Sequence, residues 1–115
     1  MAAKIDQNVV ALDVDFSWEE EHRCSSKSPA IRVAGIPEGT RFLKVTLVDL
    51  DIPFWNHGGG TVKNDGSGVI PAGSLKSSYN GPCPPSGSHR YEFTVDAVDE
   101  QGRIIGAGTK MKKFP

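Results

Sequence analysis

Gly81-Pro82-Cys83-Pro84-Pro85-Ser86-Gly87-Ser88-His89-Arg90-Tyr91 runs directly into Glu92-Phe93-Thr94-Val95-Asp96-Ala97-Val98. The first half carries three prolines in four positions. Each fixes its φ, so the loop loses little entropy on folding. The second half alternates: Tyr91, Phe93, Val95 and Ala97 against Glu92, Thr94 and Asp96. Period two is the mark of a half-buried strand. A stiff loop therefore ends in His89 and Arg90, two anion-facing donors at the mouth of a strand. By residue type alone it reads equally as a rigid inter-strand connection.

The same period recurs on either side. Val10, Leu12, Val14 and Phe16 alternate with polar positions and predict the first strand. The acidic run Glu19-Glu20-Glu21-His22-Arg23 breaks it and reads as a solvated loop or short helical turn, with His22 at the surface. Residues 30–33 predict a short strand after Ser28-Pro29. Residues 42–48 carry Leu43, Val45 and Leu47 on one face and Phe42, Thr46 and Val48 on the other, which predicts a central strand buried on both sides. Asp49 and Asp51 stand where that strand ends. His57 is followed at once by Gly58-Gly59-Gly60, either a bend or bulge or a close backbone approach to a ligand. Residues 62–70 read as a hairpin around a Gly-rich turn. Residues 99–102 read as a second turn, leading into a last strand over residues 104–109 and a short basic tail. No amphipathic helix and no repeat is evident, so the chain is expected to be mainly β, a single domain over residues 1–115.

Composition narrows the partners. Thirteen Lys and Arg against fourteen Asp and Glu give a net charge of −1, with no global field for nucleic acid or an anionic membrane. Any anion site must be local. Met1-Ala2-Ala3-Lys4 leads into polar residues, not into an apolar leader, and no apolar run is long enough to span a bilayer. The expectation is a cytoplasmic protein, monomer or homodimer, with no stable membrane insertion. Cys24 and Cys83 are the only cysteines; spacing cannot say whether they meet, and a reducing compartment predicts two free thiols. An oxidisable Cys83 is the second reading.

Asp49-Leu50-Asp51-Ile52-Pro53-Phe54-Trp55-Asn56-His57, followed by the stretch Gly81 to Tyr91, resembles the two signatures of the phosphatidylethanolamine-binding protein family, which includes the bacterial Raf-kinase-inhibitor-like proteins. Ser28-Pro29-Ala30-Ile31 and Ile36-Pro37-Glu38-Gly39-Thr40 fall in the family's order. The resemblance covers residues 28–99. It implies an antiparallel β-sandwich with short helical turns, here compact and without an evident C-terminal helix. It also implies a pocket for phosphate-like or other anionic head groups, built from Asp49, Asp51, Pro53, His57, Gly81, Pro82, His89 and Tyr91. A cis Ile52–Pro53 bond follows from the same resemblance. The chain departs from the family in being short, in placing Trp55 two residues before His57, and in carrying three glycines where a strand usually begins. A small anion site is the part these residues retain.

The residue chemistry agrees with that site. Imidazoles and a phenol donate to an oxyanion, and an aspartate that accepts from a histidine N–H orients the ring. Arg90 sits out of phase with its strand neighbours and reads as half of a salt bridge. Two enzyme readings use the same groups. Two Asp and two His suit a metal ion, although no HxxxH or CxxC spacing is present. Ser86 or Ser88 with His89 and an Asp suits a hydrolase triad, although no nucleophile elbow is present. The residues are expected to make a non-catalytic small-anion-binding protein without cofactor or metal, regulatory or inhibitory through a protein partner, the hydrolase or metal-dependent enzyme being the alternative.

Overall fold

The alternation of residues 91–98 extends in both directions in the structure, a computed structural model that describes residues 4–115, with only the backbone described for residues 4–7. It forms strand β7, His89–Asp99, whose odd-numbered residues from Tyr91 to Asp99 are all buried. A turn closed by Gly102 N–H to the Asp99 carbonyl (3.0 Å) returns the chain as β8, Arg103–Phe114. Gly102 has φ +80°, which a side chain rarely tolerates. On the other flank of β7 runs β4, Thr40–Asp49, antiparallel and in a register that sets Asp49 opposite Tyr91. That single pairing brings the two loops of interest to the same end of the sheet.

Strands β5 (Gly59–Lys63) and β1 (Lys4–Ala11) complete a five-stranded sheet of order β1-β8-β7-β4-β5. A three-stranded sheet of order β2-β3-β6 lies against it, formed by Asp13–Phe16, Ile31–Ala34 and Val69–Ile70. Between them pack Val14, Phe16, Ile31, Leu43, Val45, Leu47, Phe93 and Val95. Phe16 meets Phe93 edge-on at 4.9 Å, an arrangement aromatic quadrupoles favour. The architecture is thus the expected β-sandwich. Its pairs are antiparallel except β1–β8, which runs parallel. The only helical element among the described residues is a 3-10 turn, Glu20–His22.

Several local expectations are corrected. The first strand is two strands, because the chain passes from one sheet to the other at Leu12, whose N–H bonds to Ala107 of β8 at 2.9 Å. Leu12, Val14 and Phe16 all face the intersheet core, so the alternation runs through the corner unbroken. Residues 62–70 are no hairpin: β5 pairs with β4 and β6 with β3, and the Gly-rich turn carries the chain between sheets. β4 is buried on one face only. Phe42 is 40 % exposed and Val48 half-buried, while Leu43, Val45 and Leu47 are in the core as expected. The last strand runs to Phe114, taking in most of the basic tail. Lys112 is held there by the Phe16 carbonyl, by the Asp15 carboxylate at 3.2 Å and by the Phe16 ring below its ammonium. A long lysine stem covers apolar surface while its head stays wet. His22, expected at the surface, is buried, its Nδ1 accepting from the Glu19 N–H at 2.8 Å.

Candidate functional site

The β4–β7 register places Asp49 at the end of one strand beside the start of the other. Its side chain is fully buried. One oxygen accepts the N–H groups of Asp51 (2.8 Å) and Ile52 (3.1 Å), and the other receives His89 Nδ1 at 2.8 Å. Burial alone would raise this carboxyl; the His89 contact and the two backbone donors outweigh it and hold Asp49 below the ordinary carboxylate range. A carboxylate only accepts, so His89 carries its hydrogen on Nδ1 and directs Nε2 away from Asp49.

His57 is fixed from the opposite side. Its backbone carbonyl accepts the Asn80 N–H at 2.9 Å and its Nδ1 lies 2.8 Å from the Asn80 carbonyl. Since a carbonyl cannot donate, this ring too is protonated at Nδ1. Its Nε2 is buried and has no hydrogen-bond partner among the described residues. Tyr91 stands between the two histidines, edge-on to His57 at 5.6 Å and stacked on His89 at 6.3 Å. Its hydroxyl is likewise buried without a partner. Burial, and secondarily the Asp49 charge, push the phenol up to about 12, so it keeps its proton. Two neighbouring buried polar atoms left unpaired are costly.

Of the remaining predicted residues, Gly81 lines the cavity with His57, and Pro82 is fully buried behind it. Gly81 N–H bonds to the Ser25 carbonyl (2.8 Å) and the Pro82 carbonyl takes the Cys24 N–H (2.9 Å), so loops 23–25 and 81–83 lie zipped together. A Cβ on Gly81 would meet the His22 carbonyl at 2.5 Å, which explains the glycine by packing between loops. Asp51 stands beside Asp49 and His89. Arg90 holds it, the guanidinium 2.9 Å from Oδ1 and the Arg90 N–H 2.7 Å from Oδ2. Pro53 is exposed on the far side of loop 53–57. Asp49, Asp51 and His89 offer donor atoms within 4.8 Å of one another, the spacing of a metal site. An ion there would have to displace Arg90 from Asp51. Ser88, the nearer serine of the triad reading, donates instead to the Pro115 carbonyl at 3.0 Å.

Two expectations fall here. Cys24 and Cys83 form a disulfide, with Cα atoms 4.6 Å apart, and no cysteine is free. The zipped loops bring together two thiols 59 residues apart, a proximity that spacing does not encode. A disulfide is at odds with the reducing compartment that predicts two free thiols. No helix among the described residues is long and apolar enough to cross a membrane. The Met1 to Ala3 leader reading lies outside the described residues. Nor is Ile52–Pro53 cis: among the described residues the cis bond is Phe114–Pro115. Asp49 takes the Ile52 N–H directly, and the turn after β4 is made without it.

The disulfide borders a cavity of about 430 Å³. Phe54, Trp55, Asn56, His57, Asn80 and Gly81 complete its lining. Asn80 and Cys24 belong to it without having been singled out. No motif marks Asn80, whereas the pairing of the two cysteines would have pointed to Cys24.

The model of the family described as phosphatidylethanolamine-binding protein matches residues 5–114. A UPF0098 protein of Methanothermobacter thermautotrophicus is 33 % identical over 91 residues, covering 63 % of this chain and 60 % of that one. A UPF0098 protein of Chlamydia pneumoniae is 30 % identical over 90 residues with the same coverage. The chain thus spans about 60 % of the length of these curated relatives. The crystal structure of a phosphatidylethanolamine-binding protein homologue from Chlamydia trachomatis superposes with a TM-score of 0.71 at 18 % identity, covering 95 % of this chain and 99 % of that one. Escherichia coli YbcL superposes at 0.65 and 20 % identity, with 90 % and 97 % covered. A match along nearly the whole chain, on a sandwich of the same architecture, means that this protein belongs to the phosphatidylethanolamine-binding protein family.

Proposed function

We propose that the chain binds a small oxyanion, a phosphate or a carboxylate, between His57, His89 and Tyr91, and binds it without chemical conversion. The observation that carries this reading is that His57 Nε2 and the Tyr91 hydroxyl, two of the three buried side-chain polar atoms without a hydrogen-bond partner among the described residues, belong to rings in edge-on contact. An oxyanion supplies what both lack. The phenol is a donor throughout the working pH range, and each imidazole becomes a donor at Nε2 on taking up a proton. The neighbouring carboxylates are turned away from the anion, because the Asp49 oxygens are occupied by His89 and two backbone N–H groups and Asp51 is paired with Arg90. They act behind the site. Proline-locked and disulfide-tied loops reduce the ordering cost of binding. A regulatory role through a protein partner is compatible with such a site.

Each charge-assisted hydrogen bond contributes about 1.5–3 kcal/mol, so free phosphate should bind on the order of millimolar. Calorimetry with inorganic phosphate, acetate and phosphoethanolamine, in buffers of different ionisation enthalpy, tests the reading. Binding with net proton uptake is expected, as is a loss of about tenfold in Tyr91→Phe and more in His57→Ala. Unchanged affinity in both variants removes the site; phosphoester turnover replaces binding with catalysis.

A further inference from the structure

Loop 53–57 borders a second depression, which shares Phe54, Trp55, Asn56 and His57 with the cavity beside the disulfide. It is a groove of about 650 Å³ on the outer face of β4 and β5, within the range of small-ligand sites. Lys44 and Thr46 form its floor, pointing away from the core that receives Leu43, Val45 and Leu47. Across the ladder lie Thr61 and Gly59. Glycine is obligatory at 59, where a Cβ would come 1.9 Å from the Val45 carbonyl oxygen. The floor is bare backbone at that point, packed directly on β4. Phe54 and Trp55 form the end wall, 84 % and 43 % exposed. A phenylalanine so exposed beside a half-exposed tryptophan is the informative kind of apolar surface.

The rest of the lining mixes Val45, Leu47, Val48 and Pro53 with His57 and a set of uncharged polar groups. The hydroxyls of Thr46, Thr61, Ser77 and Ser78 bond to no other described residue. Asn56 uses its Oδ1 on the Gly58 N–H (2.8 Å) and keeps its amide hydrogens. Ser78 is held at φ +56°, a left-handed conformation uncommon outside glycine and often found where a ligand is clamped.

We propose that this groove is a carbohydrate site that takes a pyranose ring, beside the anion pocket and sharing His57 with it. A pyranose has one face of C–H groups and a rim of hydroxyls. Its C–H face suits the electron-rich face of an indole or phenyl ring. Its rim needs partners that both donate and accept, as serine and threonine hydroxyls do. Other ligand classes fit less well. An apolar peptide side chain would strip water from the hydroxyls and leave them unpaired. An anion would find one cation, Lys44, already set opposite Asp96 across the β4–β7 ladder.

The test is a titration of the ¹⁵N-labelled chain with methyl glucoside, N-acetylglucosamine and cellobiose, with open-chain glucitol as control. At least one cyclic sugar should shift the amides of Gly59, Thr61, Ser77 and Ser78, and glucitol should not. Trp55→Ala should weaken binding about tenfold or more. Should that variant lose the dispersed spectrum of the folded chain, Thr61→Val on the exposed face of the edge strand replaces it, with a several-fold loss expected. The proposal is overturned by no shift with any cyclic sugar, by equal shifts with glucitol, by shifts centred on His89 and Tyr91, or by unchanged affinity in a folded variant.

Discussion

Asp49 shows how one residue carries both stability and site geometry. It is a buried carboxylate with three donors, and it fixes the tautomer and orientation of His89. Asp49→Asn keeps the volume but replaces one acceptor oxygen with a donor, and should cost about 1–3 kcal/mol in chemical denaturation while freeing the His89 ring. Because its pKa is lowered on folding, the stability Asp49 contributes is fully present above the unfolded value. It is lost as pH falls from that value, about 3.9, through the lower folded one. Denaturation midpoints measured from pH 6 down to about 2 should therefore fall more steeply for the wild type than for Asp49→Asn. Parallel curves would remove Asp49 from the account. The residues Asp49, Asp51, His57 and His89 could be read from their motifs. That Asp51 serves Arg90 could not, since strand phase shows which way Arg90 points but not what waits there.

At the scale of elements, β5 depends on its glycines more than its composition suggests. Gly59 and Gly60 pair with Thr46 and Val45, and a Cβ on Gly60 would meet Leu75 Cα at 2.9 Å. Both obstacles are backbone, so the neighbours cannot simply rotate away. Gly59→Ala should destabilise the chain by at least about 1–3 kcal/mol and perturb Ser77, which exchanges two backbone hydrogen bonds with Gly59. Thermal unfolding and the Ser77 amide shift check this; an unaltered melting temperature would show that β5 can move. The two readings of the triple glycine, bend or close approach, were both legible, but what approaches is the protein's own backbone. Likewise β4 shows apolar residues on both faces, yet only the alternate set is buried, because no second layer among the described residues covers the other side.

For the whole molecule, the disulfide is the feature with the widest consequence. It closes a loop of 59 residues that joins the two sheets and both sides of the pocket. In the chain-entropy account such a cross-link contributes about 4 kcal/mol. Thiol titration of the denatured, unreduced protein should count none. Reduction, or Cys24→Ser with Cys83→Ser, should lower stability by about that amount and loosen loops 23–25 and 81–83, seen as faster amide exchange at Gly81 and Cys24. Two titratable thiols would restore the reducing-compartment reading.

By itself, the sequence determined the β class, the core residues of β4 and β7, and the two loops of the site, because period-two burial and proline or glycine backbone limits are local properties. Tertiary structure decided the pairing of distant segments: Asp49 with Tyr91 across a ladder, Cys24 with Cys83 across two zipped loops, and the change of sheet at Leu12. It also decided which polar atoms are left unpaired. Hydrogen-bond satisfaction and burial depend on what the fold brings alongside, and no spacing along the chain records it.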